Sequence, residues 1–271
     1  MKKIGFLLGM IALILSFAAC KGTEPNGPID DYVEDGFYVI GEATAISSLT
    51  AEGATKAIMA AGYNENGRKE DKEDERVNIL REGMYEKYIA LEGGKPFSLV
   101  LKEGKVETKY GATLVLSDTL SGDNEPAIQV YKGTMKENAT MQVTKSGLYH
   151  IVLDLNKDSK LSDKLILIAP VEWGVRGEMN GWGFTAFEQP EFNKTSMTYT
   201  MTNVTVENPG NGFKFAYGGG WKIELNTLTD PINVDDPRYV KANTNLGMAG
   251  DTEPAELVGN KLQPSGKNIK L

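Results

Sequence analysis

Short segments in which apolar and polar residues alternate recur along most of the chain, and glycine, asparagine or proline bounds nearly all of them. Alternation with a period of two is the pattern of a half-buried β-strand, and the closely spaced turn residues argue against long helices. The sequence therefore predicts an all-β fold made of β-sandwiches. The predicted strands are 37–40, 86–91, 97–101, 127–131, 139–143, 148–155, 161–168, 173–176, 197–206, 213–217 and 221–225.

Parts of the sequence occur twice. Residues 37–42 match residues 173–178, and residues 97–104 match residues 213–220. Motifs that recur in the same order indicate an internal repeat, in which each copy is one structural unit. We therefore predict two related β-sandwich domains in tandem, the first over residues 36–169 and the second over residues 170–271.

The two copies differ in length at two places. The first copy carries an insertion over residues 50–77, with a short helix predicted over 54–61 and alternating charges over 68–76 that are typical of a solvated loop or helix face. The second copy reaches Leu271 before any counterpart of the closing hairpin at residues 148–168. We expect either a truncated domain or a sheet edge that another segment or chain completes.

Residues 1–19 have the layout of a lipoprotein signal peptide. Lys2 and Lys3 precede an apolar run that is shorter than the roughly 20 residues of a transmembrane helix. Cys20 is the only cysteine, and residues 15–20 resemble a bacterial lipobox, in which the cysteine becomes acylated. An ordinary cleaved signal that ends near a cysteine is the alternative. After Cys20, a stretch rich in proline, glycine and acidic residues predicts a flexible tether that ends at residue 35.

The composition argues against several kinds of site. One cysteine and one histidine exclude an internal disulfide and make a Cys- or His-based metal centre improbable, and a net charge of -8 argues against nucleic-acid binding. Asp154 begins a calcium-loop-like pattern, but Ser159 stands where that loop needs glycine, which favours a polar hairpin turn. His150 lies in a predicted strand and is expected to be structural or exposed. No spacing singles out a pair of carboxylates, so we predict no enzyme, no metal and no cofactor.

The order of these features resembles the SusE/SusF family of Bacteroidetes starch-utilisation lipoproteins. This resemblance implies tandem immunoglobulin-like or carbohydrate-binding-module-like β-sandwiches on a lipid anchor at the outer membrane, facing the cell exterior. It also implies starch or another glycan as ligand, with an outer-membrane importer and surface glycan-binding proteins as possible partners. The resemblance is carried by Cys20 in its lipobox, the opening strand 36–41, the segments 175–182 and 212–215, Trp221, and the hairpin strand 147–155.

The three tryptophans all lie in the second copy, and sugar rings stack on exposed aromatic faces. Trp173 aligns with Phe37 in an alternating strand, which predicts core packing. Trp182 lies in an Asn-Gly-Trp-Gly turn that fits a buried anchor and a ligand platform equally well. Trp221 follows three glycines and aligns with Lys105, so its position does not require a core residue. We predict ligand contact, and a turn plug or a cross-strand packing residue is the alternative.

In similar family domains, tryptophans at these two turn positions form the glycan arc. The resemblance therefore maps the binding site onto Trp182 and Trp221. Nearby side chains that could hydrogen-bond to sugar hydroxyls are those of Tyr217, Lys222 and Arg176.

The predicted function is non-catalytic binding of polysaccharide or oligosaccharide at the cell surface, in support of glycan capture and uptake. The alternative is a structural or adhesive surface lipoprotein, or an assembly component whose unpaired sheet edge accepts a partner strand. The first copy has no tryptophan, and its nearest equivalents are Lys109 and Tyr110. Whether it binds ligand or serves as a spacer stays open at this point.

Overall fold

The structure, a computed structural model, describes residues 33–69, 72–117, 130–155, 164–177, 180–181, 183–200, 213–217, 222–226 and 239–243. Side chains are described for residues 33–62, 82–116, 130–155, 164–176, 180–181 and 183–200. The predictions for the signal peptide, Cys20, the tether up to residue 32, Trp182 and Trp221 lie outside the described residues. Across the described ranges every sheet is antiparallel and no α-helix occurs, which confirms the all-β fold class.

Sixteen strands and one 3-10 helix make up the described part of the chain. The strands are β1 Gly36–Gly41, β2 Ala60–Lys69, β3 Lys72–Leu91, β4 Pro96–Glu103, β5 Val106–Gly111, β6 Val115–Ser117, β7 Val130–Thr134, β8 Lys136–Glu137, β9 Met141–Gln142, β10 Gly147–Asp154, β11 Leu165–Pro170, β12 Trp173–Gly177, β13 Thr185–Ala186, β14 Phe213–Tyr217, β15 Lys222–Asn226 and β16 Tyr239–Asn243, and the 3-10 helix is Ala54–Ala57.

The strands form three sheets. Sheet 1 has the order β1-β4-β5-β8, with β9 also beside β4. Sheet 2 has the order β15-β16-β2-β3-β10-β11-β7-β6, and sheet 3 has the order β13-β12-β14. Sheet 2 therefore contains strands from both copies, because β15 and β16 extend the sheet that the first copy builds.

The main core lies between sheet 1 and sheet 2. Alternate residues of β1 and β4, such as Val39 and Leu99, point into it from sheet 1, and Ile151 and Ile166 enter it from sheet 2; all four are completely buried. Burying a side chain of this size stabilises the fold by about 1.5–3 kcal/mol relative to exposure. This packing of two antiparallel sheets face to face is the predicted sandwich.

Sheet 2 is also buried on its second face around β10 and β11. Val152 and Leu167 alternate with the core residues of β10 and β11 and pack in a separate cluster with Val171 and Trp173. A strand that is covered on both faces needs apolar residues at successive positions, which explains the continuous apolar run of β11. The first residues of the second copy thus cover the sandwich of the first.

The insertion at residues 50–77 is a strand hairpin, and the predicted helix over 54–61 is wrong in extent. Only Ala54–Ala57 is helical; Ile58 is already extended and bridges to Tyr38 in β1. The charged run lies at the far end of the β2–β3 hairpin, where Arg68 pairs with Arg76 in register. Cross-strand pairing therefore overrides the weak strand propensity of this lysine- and glutamate-rich segment.

Candidate functional site

The second copy repeats the strand pairing of the first with the same register. In β1 and β4, Phe37 lies opposite Leu101 and Gly41 opposite Phe97. In β12 and β14, Trp173 lies opposite Tyr217 and Gly177 opposite Phe213. Each of these residues is the counterpart of the other copy's residue in the sequence alignment, so the repeat is also a repeat of backbone pairing.

The turn that follows β12 is tied back to its own sheet by Asn180. Its Nδ2 donates to the carbonyl oxygen of Val175 at 3.1 Å and to Oγ1 of Thr185 at 2.9 Å. The amide of Gly183 donates to the carbonyl oxygen of Asn180 at 3.0 Å, and Gly181 has φ +59°, a conformation that glycine adopts without strain. The sequence of this turn includes Trp182, which itself lies outside the described residues.

The first copy has a similar turn, anchored by Thr44 at the position of Asn180. Thr44 Oγ1 donates to the carbonyl oxygen of Ile46 at 2.6 Å and accepts a hydrogen bond from the amide of Ile46 at 3.2 Å. Ile46 is the counterpart of Trp182 when the alignment continues without a gap. It is partly buried and packs against the apolar cluster on the outer face of sheet 1 that includes Tyr38 and Val100. This counterpart favours the turn-anchor interpretation of Trp182.

Trp173 is a core residue, as predicted. It is 9% exposed and belongs to the cluster that covers the second face of sheet 2. Its ring centroid lies 5.6 Å from that of Tyr88. Its carbonyl oxygen accepts a hydrogen bond from the amide of Phe187 at 2.8 Å, which fixes the strand edge beside it.

Arg176 is interior, so it does not belong to an exposed sugar platform. The residue is 8% exposed, the same fraction as Ile40, its counterpart in the first copy. A Cβ on its neighbour Gly174 would lie 2.5 Å from the ring of Phe184, so the chain after the turn covers this face of β12 closely. Strand parity predicts which face of β12 carries Arg176, but it does not predict that the following chain buries this face.

Tyr217 and Lys222, two other predicted contacts, occur in different sheets. Tyr217 ends β14 in sheet 3, opposite Trp173, whereas Lys222 begins β15 in sheet 2, opposite Asn243. Because β12 and β14 are antiparallel, their last residues, Gly177 and Tyr217, lie at opposite ends of sheet 3. The strands that precede Trp182 and Trp221 therefore lead away from each other.

A buried polar cluster that the sequence did not predict lies where the two copies meet. His150 is completely buried in β10, and its Nε2 lies 2.9 Å from Oε2 of Glu86 in β3. The Tyr88 ring stacks on the imidazole, with ring centroids 4.2 Å apart. The same Tyr88 ring also contacts Trp173 of the second copy. Of the two expectations for His150, the structural one is confirmed. A lone histidine between apolar residues of a strand was the only indication in the sequence.

Lys194 of the second copy makes two polar contacts with the first. Its Nζ lies 2.8 Å from Oε2 of Glu92 and donates to the carbonyl oxygen of Glu42 at 3.1 Å. The hydrogen bond from Lys194 lowers the pKa of the Glu92 carboxyl below its ordinary value. In the second copy, burial raises the pKa of Tyr199 to about 12, and the charge of Glu172 adds to the shift.

The two candidates of the first copy have different surroundings. Tyr110 packs against the main core, with its ring centroid 6.4 Å from that of Phe37, and burial, with a smaller contribution from Glu137, raises its pKa. It is thus a packing residue. Lys109, its neighbour, points to the opposite face of β5, where it is exposed and lines a cleft.

Comparisons with known proteins returned no match, whether against protein-family models, curated proteins or solved structures. Among the residues whose structure is described, no group of three or more histidine, cysteine, aspartate or glutamate side chains is placed to hold a metal ion. In the same residues, no helix has the length and apolarity needed to cross a membrane.

Proposed function

We propose that this chain is a non-catalytic, lipid-anchored surface protein that binds glycan, with Trp221 as its principal contact. The all-β sandwich supports the proposal because such a scaffold presents turns at its ends, where binding residues are commonly placed. The lipobox-like sequence that ends at Cys20 supports an anchor at the outer membrane, facing the cell exterior. An outer-membrane importer and other surface glycan-binding proteins are the proposed partners.

The observation that carries the proposal is the environment of Lys105, the counterpart of Trp221. Lys105 is exposed in the turn between β4 and β5, directly after Gly104, whose φ is +60°. The β12–β14 pair repeats the β1–β4 register, so the alignment assigns Trp221 to the position after the same strand. An indole at an exposed turn offers an apolar face on which a pyranose ring can stack.

The other candidate residues take secondary places in the proposal. Trp182 corresponds to the partly buried Ile46, so we assign it a smaller share of the binding energy than Trp221. Tyr217 and Lys222 immediately flank the Gly-Gly-Gly-Trp segment in sequence and are proposed to bind sugar hydroxyls. Arg176 is proposed only as an interior support of this region, because it is buried.

Affinity electrophoresis on gels that contain starch or other polysaccharides tests the proposal. Trp221→Ala should lose the retardation that the wild-type chain shows on its glycan, since the stacking face is removed. Lys105→Ala is the matched control, because Lys105 is the residue of the first copy that aligns with Trp221. Equal mobility of the wild type and Trp221→Ala on every glycan would remove Trp221 from the site.

A structural or adhesive role is the second candidate, and one observation favours it. β6 is the last strand of sheet 2 in the described part of the chain, and it exposes Val115 by 59% and Leu116 by 57%. An exposed apolar edge strand is a template for pairing with another chain. If the chain has this role, Leu116→Lys should abolish assembly into larger complexes, whereas Trp221→Ala should leave assembly unchanged.

A further inference from the structure

The outer face of sheet 1 carries a cleft of about 280 Å³ that belongs wholly to the first copy. Its floor is the face of β1 and β4 that points away from the main core. The loop after β1 forms one wall, and β5 with the segment before β9 forms the other. The lining residues are Ile40, Gly41, Glu42, Ser47, Pro96, Phe97, Ser98, Val100, Lys109 and Thr140.

The wall formed by the loop after β1 is held by its own hydrogen bonds. The amide of Gly41 donates to the carbonyl oxygen of Ile46 at 3.1 Å, and the amide of Thr44 donates to the carbonyl oxygen of Gly41 at 3.1 Å. The amide of Ala43 reaches across to the carbonyl oxygen of Pro96, also at 3.1 Å. The cleft is therefore shaped before any ligand arrives, which reduces the entropy lost on binding.

The floor and the rim of the cleft differ in chemistry. Ile40 and Val100 form an apolar floor, and the surrounding rim consists of exposed polar side chains. Ser98 Oγ donates its proton to the carbonyl oxygen of Ala139 at 3.1 Å, which leaves its lone pairs as acceptors for a ligand hydroxyl. An apolar floor with a few convergent polar groups is typical of small-molecule sites.

The charges on the rim balance each other. Among the described residues that line the cleft, Lys109 on one wall and Glu42 on the other carry charge, and Ser47 and Thr140 add neutral hydroxyl groups. A charged ligand would meet one repelling side chain, whereas a neutral polyol finds donors and acceptors on both walls. The volume of about 280 Å³ lies just below the roughly 300–1,000 Å³ typical of ligand sites, which suits a single sugar ring.

A second cavity adjoins the cleft at two of its lining residues. This more open cavity of about 500 Å³ shares Pro96 and Thr140 with the cleft and extends past Ala112 and Leu114. A chain of sugars that placed one ring in the cleft would thus have room for its neighbouring unit.

We propose that this cleft is a second glycan site, which binds one neutral pyranose unit of an oligosaccharide by packing against Ile40 and Val100 and by hydrogen bonds from Lys109, Ser47 and Thr140. The proposal rests on the proposed function, of which it names a further site and its ligand class. Ile40 is the counterpart of Arg176, but the chain that follows β12 covers that face in the second copy, so the cleft assignment rests on residues of the first copy alone.

Isothermal titration calorimetry of the full chain with neutral malto-, cello-, xylo- and manno-oligosaccharides tests this assignment. Ser47→Trp places an indole in the cleft and should abolish the first-copy site, which lowers the stoichiometry from two ligands per chain to one. Lys109→Ala removes one hydrogen-bonding group and should weaken the same site by about tenfold, equivalent to 1.4 kcal/mol. Ala45→Trp is the control, because Ala45 is exposed on the same loop and does not line the cleft.

The Trp221→Ala variant separates the two proposals. If Ser47→Trp and Trp221→Ala each remove one site, both proposals stand. Unchanged stoichiometry and affinity in Ser47→Trp and Lys109→Ala, with binding lost in Trp221→Ala, would overturn the cleft assignment alone. Binding that persists in Trp221→Ala but disappears in Ser47→Trp would overturn Trp221 and support the cleft. No binding to any of these sugars by the wild-type chain would overturn both.

Discussion

Oε2 of Glu86 lies 2.9 Å from Nε2 of His150, and the histidine side chain is completely buried in the middle of sheet 2. This contact joins β3 to β10 on the face that the second copy covers. Tyr88 stacks on the imidazole with an interplanar angle of 2°, and Trp173 packs against Tyr88. The only histidine of the chain therefore lies behind the Tyr88 ring that contacts the second copy.

We expect His150→Ala to destabilise the folded chain by about 1–3 kcal/mol, because it leaves a largely buried carboxylate without its hydrogen-bond partner. His150→Gln can still donate to Glu86 and should cost less. Urea denaturation followed by fluorescence measures both changes. Equal midpoints for the wild type and His150→Ala would show that the Glu86 contact adds nothing to stability.

The glycine that ends β1 gives a second prediction. A Cβ on Gly41 would lie 2.6 Å from Cα of Phe97 and 2.7 Å from the carbonyl oxygen of Pro96, at φ +145°. Gly41→Ala should therefore cost about 2–4 kcal/mol from backbone strain and overpacking together.

Gly104→Ala is the matched control for this prediction. Its φ is +60°, but nothing lies within 4 Å of the added Cβ, so the expected cost is only the backbone strain of about 1–2 kcal/mol. Thermal or chemical denaturation measures both variants. Equal losses of stability would show that the close approach of β1 to β4 is not the reason for glycine at position 41.

Asp35 provides a prediction about pH. Lys102 Nζ donates to its Oδ1 at 2.9 Å and the amide of Gly104 donates at 2.8 Å, and these hydrogen bonds lower the pKa of the carboxyl below 3.8. Because the pKa is lower in the folded state, the stabilisation is present above pH 3.8 and is lost as pH falls through the folded-state pKa.

Carbon-13 NMR titration of the Asp35 carboxyl measures this shift directly. The midpoint should lie below 3.8 in the wild type and should rise in Lys102→Met, where only the Gly104 amide remains as donor. Substitution of Glu107 is a suitable control, because Glu107 lies in β5 directly opposite Lys102 of β4. A wild-type midpoint at 3.8 would contradict the Lys102 contact.

The fold was predictable where strands alternate and turns are marked by glycine. The predicted strands 37–40 and 97–101 lie within β1 and β4, and the matching motifs of the second copy pair in the same register. β5 was missed because Val106–Gly111 alternates charged and polar residues around one tyrosine, and its strand character comes from pairing with β4. The predicted strand 86–91 lies within β3, but β2 and the charged first part of β3 were missed for the same reason.

The site was less predictable than the fold. An alternating pattern predicts which face of a strand a residue lies on, but it does not predict which other segment covers that face. Trp173 was correctly placed in the core, since its counterpart Phe37 alternates in the same way. Arg176 was misjudged because the chain that follows β12 buries the outer face of that strand. The cleft beside Lys109 depends on hydrogen bonds within the loop 41–46, which no sequence pattern reveals.

Acrylamide quenching of the Trp173→Phe/Trp182→Phe variant, in which Trp221 is the only tryptophan, tests the central claim most directly. Phenylalanine is the residue that the first copy has at the position of Trp173, so the fold should tolerate that change. We predict that the emission of Trp221 is strongly quenched in the free protein and is protected when a bound oligosaccharide covers the indole. Emission that acrylamide hardly quenches in the free protein, or quenching that no glycan alters, would contradict the account.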